Sequence, residues 1–323
     1  MNNIFLHKPV CDLLHQYVPV SSGLSDEQIL PSLSSAFDLF VVPLLGQQLA
    51  DKLIQLQTTA DTATKTSAVE ICRTAVANLA FWYNFTELNV RITDQGFQRQ
   101  EGDTFKSLYK YQEDELKQRF RVKGFQALDM LLSVLDMSRD DFPEYAQSPA
   151  YIEQQKCLVR SAQEVSQIYY TDCSSLIFLR LLPIIRNHTA TLLPGIIGNK
   201  LYDKIELSLN GNIPKGFPFE PLREKILPWL VMMSIGSLIR SSGSLTDRGL
   251  YFQSVMATSG NTMVTEPVPS EQQMMQLEQI DNTAKAYQQR LINYIKLHYP
   301  DDFAGNPSGI YHRDNDHKKT FFA

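Results

Sequence analysis

Apolar positions recur along much of the chain at intervals of three and four residues, the period of a helix with one buried stripe. Leu277, Ile280, Ala284, Tyr287, Leu291, Ile295 and His298 step in this way, predicting one long amphipathic helix over residues 270–298. Phe105, Leu108, Gln112, Leu116, Phe120, Ala127, Leu131 and Leu135 predict another over residues 104–137, with Gly124 expected to break or bend it midway. Residues 68–85 and 222–239 are apolar over most of their length and read as core helices. A connecting helix is predicted over residues 151–169, opened by Ser148-Pro149. Strand-like alternation is confined to Val90 and Ile92, which lead into the turn Thr93-Asp94-Gln95-Gly96 before Phe97 resumes. Asp tolerates such turns by bonding its own backbone, and Gly supplies the positive φ that closes a hairpin.

The pattern is written twice. Leu45-Gly46-Gln47-Gln48-Leu49-Ala50-Asp51-Lys52-Leu53 aligns with Ile197-Gly198-Asn199-Lys200-Leu201-Tyr202-Asp203-Lys204-Ile205 at an offset of 152 (198 minus 46). Ile92-Thr93-Asp94-Gln95-Gly96-Phe97 aligns with Leu245-Thr246-Asp247-Arg248-Gly249-Leu250 at 153 (247 minus 94). Two matches at nearly one offset point to an internal duplication. The predicted fold is therefore mainly α, with two tandem copies of a helical-bundle module, each carrying a short β-ribbon. A two-stranded ribbon is marginal alone and must lean on helices or on another subunit.

Breaks in the pattern give the predicted boundaries. Residues 1–24 read as an N-terminal arm, 25–142 as the first helical module, 143–299 as the connecting helix and second module, and 300–323 as a mobile, polar C-terminal tail. The second ribbon is expected within residues 243–257.

Composition narrows the class. A length of 323 residues suits two cores, and a 43% hydrophobic fraction is that of an ordinary globular protein. Thirty basic against thirty-five acidic residues give a net charge of −5, so phosphate-backbone binding is not the main business of the surface. The start lacks a charged segment followed by an apolar one, predicting no secretory signal. The apolar run at 226–239 contains Pro228 and is shorter than the ~20 residues that cross a bilayer. A cytoplasmic protein, or one incorporated in a particle, is expected. Cys11, Cys72, Cys157 and Cys173 share no pairing or metal-ligand spacing and read as free buried thiols.

Motifs that carry chemistry are missing from the sequence. There is no P-loop, dinucleotide-binding glycine triplet, nucleophile elbow, His-Glu-x-x-His or Cys-x-x-Cys. Asp12-Leu13-Leu14-His15 has carboxylate–histidine spacing but stands alone. His312, Asp314, Asp316 and His317 could ligate a divalent ion, yet a tail lacks the surrounding bonds that hold ligands in place. Turn geometry accounts for the two Thr-Asp-x-Gly segments without acid–base work. Phe81-Trp82-Tyr83-Asn84-Phe85 could stack bases, but core packing is the ordinary role of such a cluster at a helix end. Lys106, Lys110, Lys117, Arg119, Arg121 and Lys123 are interleaved with Glu113, Asp114 and Glu115, a mixed and solvated face. Its unopposed end, Lys117, Arg119, Arg121 and Lys123, is a candidate basic contact to DNA or an acidic partner. No cofactor and no catalytic or metal residue is expected.

Several stretches between residues 81 and 205 resemble an uncharacterised family encoded by Bacteroides-type gut bacteria and their prophages. They are Asn89-Val90-Arg91-Ile92-Thr93-Asp94-Gln95-Gly96-Phe97-Gln98-Arg99, Tyr111-Gln112-Glu113-Asp114-Glu115-Leu116 and Gly124-Phe125-Gln126-Ala127-Leu128-Asp129-Met130-Leu131-Leu132. Phe142-Pro143-Glu144-Tyr145, Ser148-Pro149-Ala150-Tyr151 and Leu182-Pro183-Ile184-Ile185 follow in the same order, with Tyr145 standing where the family pattern has Trp. The resemblance implies a phage-type structural gene set and supplies no catalytic residue. A helical core with a projecting ribbon is in turn similar to the head-to-tail connector proteins of tailed phages.

The expected function is structural. A ring-forming connector or neck component would use Val90, Ile92, Thr93, Asp94, Gly96 and Phe97 as one assembly ribbon, and Leu245, Thr246, Asp247, Gly249 and Leu250 as the other. Its partners would be further copies of itself and neighbouring particle proteins, with DNA not indicated by the charge and no membrane. Two linked copies would let a ring close with half as many chains as positions. A soluble adaptor for one protein partner, and an enzyme with a site hidden in a helical bundle, are the alternatives.

Overall fold

The structure is a computed structural model that describes residues 4–5, 9–19, 25–88, 90–93, 96–99, 109–242, 254–259, 262–267 and 270–302. The chain divides into two compact units. Unit 1 comprises Met1–Glu153, Ser174–Leu176 and Thr246–Pro267, and unit 2 comprises Gln154–Cys173, Ile177–Leu245 and Val268–Ala323.

Unit 1 opens with α1 (Val10–Leu14) and α2 (Asp26–Ala36), which runs through a π-turn at Phe37–Val41 into α3 (Val42–Leu45). Then come α4 (Gln47–Thr59), α5 (Ala63–Tyr83) and α6 (Phe85–Leu88), the strands β1 (Val90–Thr93) and β2 (Gly96–Arg99), α7 (Lys110–Met137), the short α8 (Pro143–Ala146), and α9 (Pro149–Gln155), whose last two residues group with unit 2. Unit 2 holds α10 (Ala162–Ile168), α11 (Ser175–Thr191), whose first two residues group with unit 1, α12 (Leu193–Ile197), α13 (Asn199–Leu209), α14 (Phe219–Ser242) and α15 (Ser270–His298). β3 (Ser254–Ser259) and β4 (Thr262–Pro267) lie between α14 and α15 in sequence. The chain is thus mainly helical and internally duplicated.

Each core is built around one pair of long helices, α5 with α7 and α14 with α15. Ala68, Cys72, Ala75, Val76, Leu79 and Ala80 of α5 are fully buried or nearly so, facing Leu128, Leu131, Leu132 and Leu135 of α7. Trp229, the largest fully buried side chain, sits in α14 with Ile226, Leu230, Val231 and Ile235, while Ile280, Ala284, Leu291, Ile292 and Ile295 close the core from α15. Each such aliphatic side chain contributes ~1.5–3 kcal/mol by leaving water. His298, predicted at the end of the α15 stripe, is exposed.

Several expectations are corrected. Gly124 does not break α7, which is continuous from Lys110 to Met137. A Cβ there would lie 2.6 Å from Leu79 Cγ and 3.2 Å from Leu79 N, so the glycine lets α7 approach α5 closely. The predicted connecting helix is two helices, α9 and α10. The break between them buries Leu158 and Val159, which the helical pattern had hidden.

The described part of the predicted N-terminal arm belongs to the core of unit 1. Ile4, Phe5, Val10, Leu14 and Val18 are at most 2% exposed, and Asp26 accepts from the backbone N–H groups of Val10 (3.0 Å) and Cys11 (3.1 Å), capping α1. Of the predicted tail, residues 303–323 lie outside the described residues. Cys11, Cys72 and Cys157 are buried as expected, but Cys173 is exposed, in a left-handed turn with Asp172.

The stretch Asp26–Leu45 is long and apolar enough to cross a membrane, with mean hydropathy 1.5. Pro31 lies within α2, and Ile29, Leu33, Ala36, Phe37 and Val41 along the stretch are fully buried inside unit 1.

Candidate assembly site

The repeated sequence motif is a structural joint. Gly46 (φ 80, ψ 157) and Gly198 (φ 85, ψ 149) end α3 and α12 and begin α4 and α13 in the same left-handed conformation, which glycine adopts without strain. Gly46 N–H donates to the Val42 carbonyl at 2.8 Å and Gly198 N–H to the Pro194 carbonyl at 2.9 Å. Leu49 and Leu201, then Leu53 and Ile205, fill the two cores behind the joint. Lys52 reaches Glu144 (3.7 Å) and Lys204 reaches Asp302 (2.5 Å), each tying the helix after the joint to an acid just past the second long helix.

A second tie is repeated that the sequence pattern does not reveal. Arg73 of α5 and Arg223 of α14 are both 6% exposed. Arg73 Nε donates to the Ile4 carbonyl at 3.2 Å and Nη1 to Glu70 at 2.8 Å. Arg223 Nε donates to the Leu158 carbonyl at 2.7 Å and Nη1 to Glu220 at 3.3 Å. The only signal in the sequence is a Glu-x-x-Arg at an offset of 150 (223 minus 73), too short to stand out until both arginines are seen clamping a buried apolar pair at the start of each unit. The first residues of α1 and α10 keep the offset of 152 (162 minus 10), as do Pro31 and Pro183 within α2 and α11 (183 minus 31). The duplication therefore extends back over residues 4–18.

Around the first tie, Tyr17 Oη donates to Glu70, and burial together with that bond pushes the Tyr17 hydroxyl up to about 12. Around the second, Arg223 Nη2 binds Glu164, whose other oxygen accepts from Arg160 N–H at 2.7 Å. Arg160 in turn reaches Glu220 at 3.1 Å.

Of the predicted assembly residues, Val90, Ile92 and Thr93 lie on β1 and Gly96 and Phe97 on β2. The strands pair antiparallel with Val90 opposite Arg99, Ile92 opposite Phe97 and Thr93 opposite Gly96. Asp94 lies outside the described residues, as do Leu245, Thr246, Asp247, Gly249 and Leu250. The second antiparallel pair stands later than expected, with Ser254 opposite Pro267 and Ser259 opposite Thr262, and it groups with unit 1, where β4 lies against α7. Position in sequence does not dictate which core a two-stranded pair leans on.

The basic end of α7 is partly occupied. Arg119 pairs with Glu115 at 2.6 Å, and Arg121 stacks over the Trp82 ring at 5.5 Å, leaving Lys117 half-buried and Lys123 exposed. This corrects the expectation of an unopposed cluster, because an arginine planted beside an aromatic face is held there by the ring.

The aromatic run at the end of α5 is not core. Trp82 is half-buried and Tyr83 55% exposed, and with Phe40 and Phe125 they form one cluster, with Phe40 5.8 Å from each of the first two rings and 6.0 Å from the third. Exposed Leu39 flanks Phe40 in the π-turn.

Buried His188 of α11 stands between two serines of α14, with Nδ1 3.3 Å from Ser234 Oγ and Nε2 3.2 Å from Ser237 Oγ. Ser234 donates to the Leu230 carbonyl at 2.8 Å, so it accepts from Nδ1–H while Ser237 donates to Nε2. A hydroxyl beside a base has the outline of a nucleophile, but Ser234 occupies the position an orienting carboxylate would need. The two bonds join α11 to α14. Among the described residues no group of three or more His, Cys, Asp or Glu side chains could hold a metal ion.

No curated protein and no solved structure matches the chain. Residues 41–155 and 193–311 each match one family, and the matched segments begin 152 apart (193 minus 41), the offset of the glycine joints. Together they cover more than half of the sequence, so the chain belongs to DUF6712, a family of unknown function, and carries two copies of its module.

Proposed function

We propose that the protein is a structural subunit, a ring-forming connector or neck component of a phage, prophage or contractile particle. The observation that carries this reading is the duplication itself. Two modules with the same glycine joint and the same arginine and lysine ties present two similar surfaces on one chain, a form suited to repeated contacts around a closed ring. The paired strands β1–β2 and β3–β4 would reach adjacent subunits, with Ile92 and Phe97 at the centre of the first contact. Further copies of the chain and neighbouring particle proteins are the partners in this reading. Mass photometry at working concentrations, and light scattering at high micromolar ones, should give multiples of the 36.8 kDa chain mass. A strict monomer under both conditions, alone and with its particle neighbours, would sink the reading.

The half-exposed cluster of Phe40, Trp82, Tyr83 and Phe125 favours a second reading, an adaptor that binds one protein partner. Tyr83→Ala separates the two, since an adaptor loses its partner while a ring held by its strands keeps its mass.

A further inference from the structure

Each module follows its ribbon with a long helix, α7 after β1–β2 and α15 after β3–β4, and each such set falls inside one of the matched segments, 41–155 and 193–311. In sequence β3–β4 belongs to the second module, yet β4 lies against α7 and the pair groups with unit 1. The long helix of the first module is thus a seat for the ribbon of the module that follows it.

The second long helix offers a face for the same use. Ile280, Ala284, Leu291 and Ile295 of α15 are buried in the core that it forms with α14. On another face Met275, Glu278, Gln279, Asn282, Ala286 and Arg290 step by three or four residues along an open groove of ≈580 Å³, and all six are exposed. From Met275 to Arg290 the helix rises about 22 Å, against about 13 Å for a four-residue strand, so the groove is long enough to take β1–β2.

Charge separates the two helices as seats. The strands β3 and β4 carry one charged residue, Glu266, and α7 opens with five basic against three acidic residues over 110–123, a net +2 (5 minus 3). The strands β1 and β2 carry Arg91 and Arg99, and α15 opens with Glu271, Glu278 and Asp281 and no basic residue over 270–284, Asp281 being paired with Arg240. Each ribbon is therefore opposite in charge to the long helix of the other module and alike in sign to that of its own, which favours exchange between modules over a return to the same one.

We infer that the groove on α15 is the seat of β1–β2 from a second copy of the chain, repeating between copies the contact that β4 makes with α7 within one. β1–β2 belongs to the first matched segment, so in a ring the module before it is the second module of a neighbouring copy. Such a contact is head to tail, the kind that closes into a ring when the rotation between subunits allows it. The inference rests on the ring reading and names the two surfaces that form its joint.

Photo-crosslinking on the full chain tests it, with p-benzoylphenylalanine in place of Ala286 and with light and ¹⁵N-labelled chains mixed. Crosslinks should join a light chain to a heavy one and map to residues 90–99. Arg91→Glu with Arg99→Glu should raise the concentration needed for half assembly at least ~10-fold, and adding Glu271→Lys with Glu278→Lys should restore it, with the thermal transition kept in every variant. Oligomers that crosslink from position 286 to other segments, or that ignore the charge reversal, would overturn the seat and leave the ring reading standing. Crosslinks to residues 90–99 of the same chain would overturn it too, by making the ribbon's seat internal. A strict monomer would overturn both.

Discussion

The two units run through the same order of helices, yet they close their cores by different means. In unit 1 the glycine at the long-helix crossing stands on the second helix, where Gly124 lies directly under Leu79 of α5. In unit 2 it stands on the first, where a methyl group at Gly236 of α14 would meet Ile280 of α15 at a looser 3.3 Å. Unit 1 has fully buried Ala36 five residues after Pro31, and unit 2 has His188 with its two serines five residues after Pro183. The arginine tie of unit 1 ends on Gln57, while that of unit 2 ends on Glu164 within a network that includes Glu220 and Arg160. Once duplicated, each copy kept its joint and its ties and adjusted the packing between them. A core tolerates changes of side chain far better than the loss of a glycine that needs positive φ, or of a buried charge's partner.

The largest effect should come from the arginine ties. Arg73→Ala and Arg223→Ala each leave a backbone carbonyl without its side-chain donor and an acidic partner with one donor fewer, at a cost of ~3 kcal/mol. Arg223→Ala should cost more, because Glu164 is less exposed than Glu70 (27% against 44%). Urea unfolding monitored by circular dichroism measures both, and equal midpoints for the two variants would mean that the networks are not distinguished as described.

The crossing glycines should differ in the size of their effect. Gly124→Ala forces Leu79 Cγ and its backbone aside and should destabilise by ~2 kcal/mol despite the better helix propensity of alanine. Gly236→Ala meets Ile280 Cγ2 and the far end of Arg240 at 3.3 Å and Asp281 Oδ1 at an ordinary 3.8 Å, so a gain of up to ~1 kcal/mol in propensity offsets the crowding and leaves stability nearly unchanged. Thermal melts of the two variants side by side decide it.

The smallest effect is a pH dependence confined to unit 2. Burial, helped by Arg240, holds His188 below the usual histidine range. The folded state therefore favours the neutral ring, and this contribution is whole above the unfolded pKa of ~6.5 and lost as pH falls from there through the folded value. His188→Gln should flatten that part of the stability profile below pH 7, measured by urea titrations at stepped pH. An unchanged slope would assign the acid loss to other groups.

Much of the fold was legible because helical periodicity is local. Buried Leu131, Leu135, Ile280 and Leu291 fall on stripes that the sequence displays, and α15 has the predicted limits. Gly46 and Gly198 were visible as identical letters, but their shared left-handed backbone was not. Residues 4–18 read as an irregular arm because their pairing with Arg73 spans almost seventy positions, and Glu70-x-x-Arg73 says nothing until Ile4 is beside it. The aromatic run at Phe81 to Phe85 read as core because its composition is that of a core, while exposure depends on what other elements leave uncovered.

The sequence by itself determined the helical class, the long amphipathic helices and the fact of duplication, since each is a matter of spacing between near neighbours or of one segment resembling another. Tertiary structure alone decided where each module begins, which glycine is a joint and which a crossing, and which arginine is buried. Those depend on contacts between residues far apart in the chain, and no local pattern encodes the distance at which two helices meet.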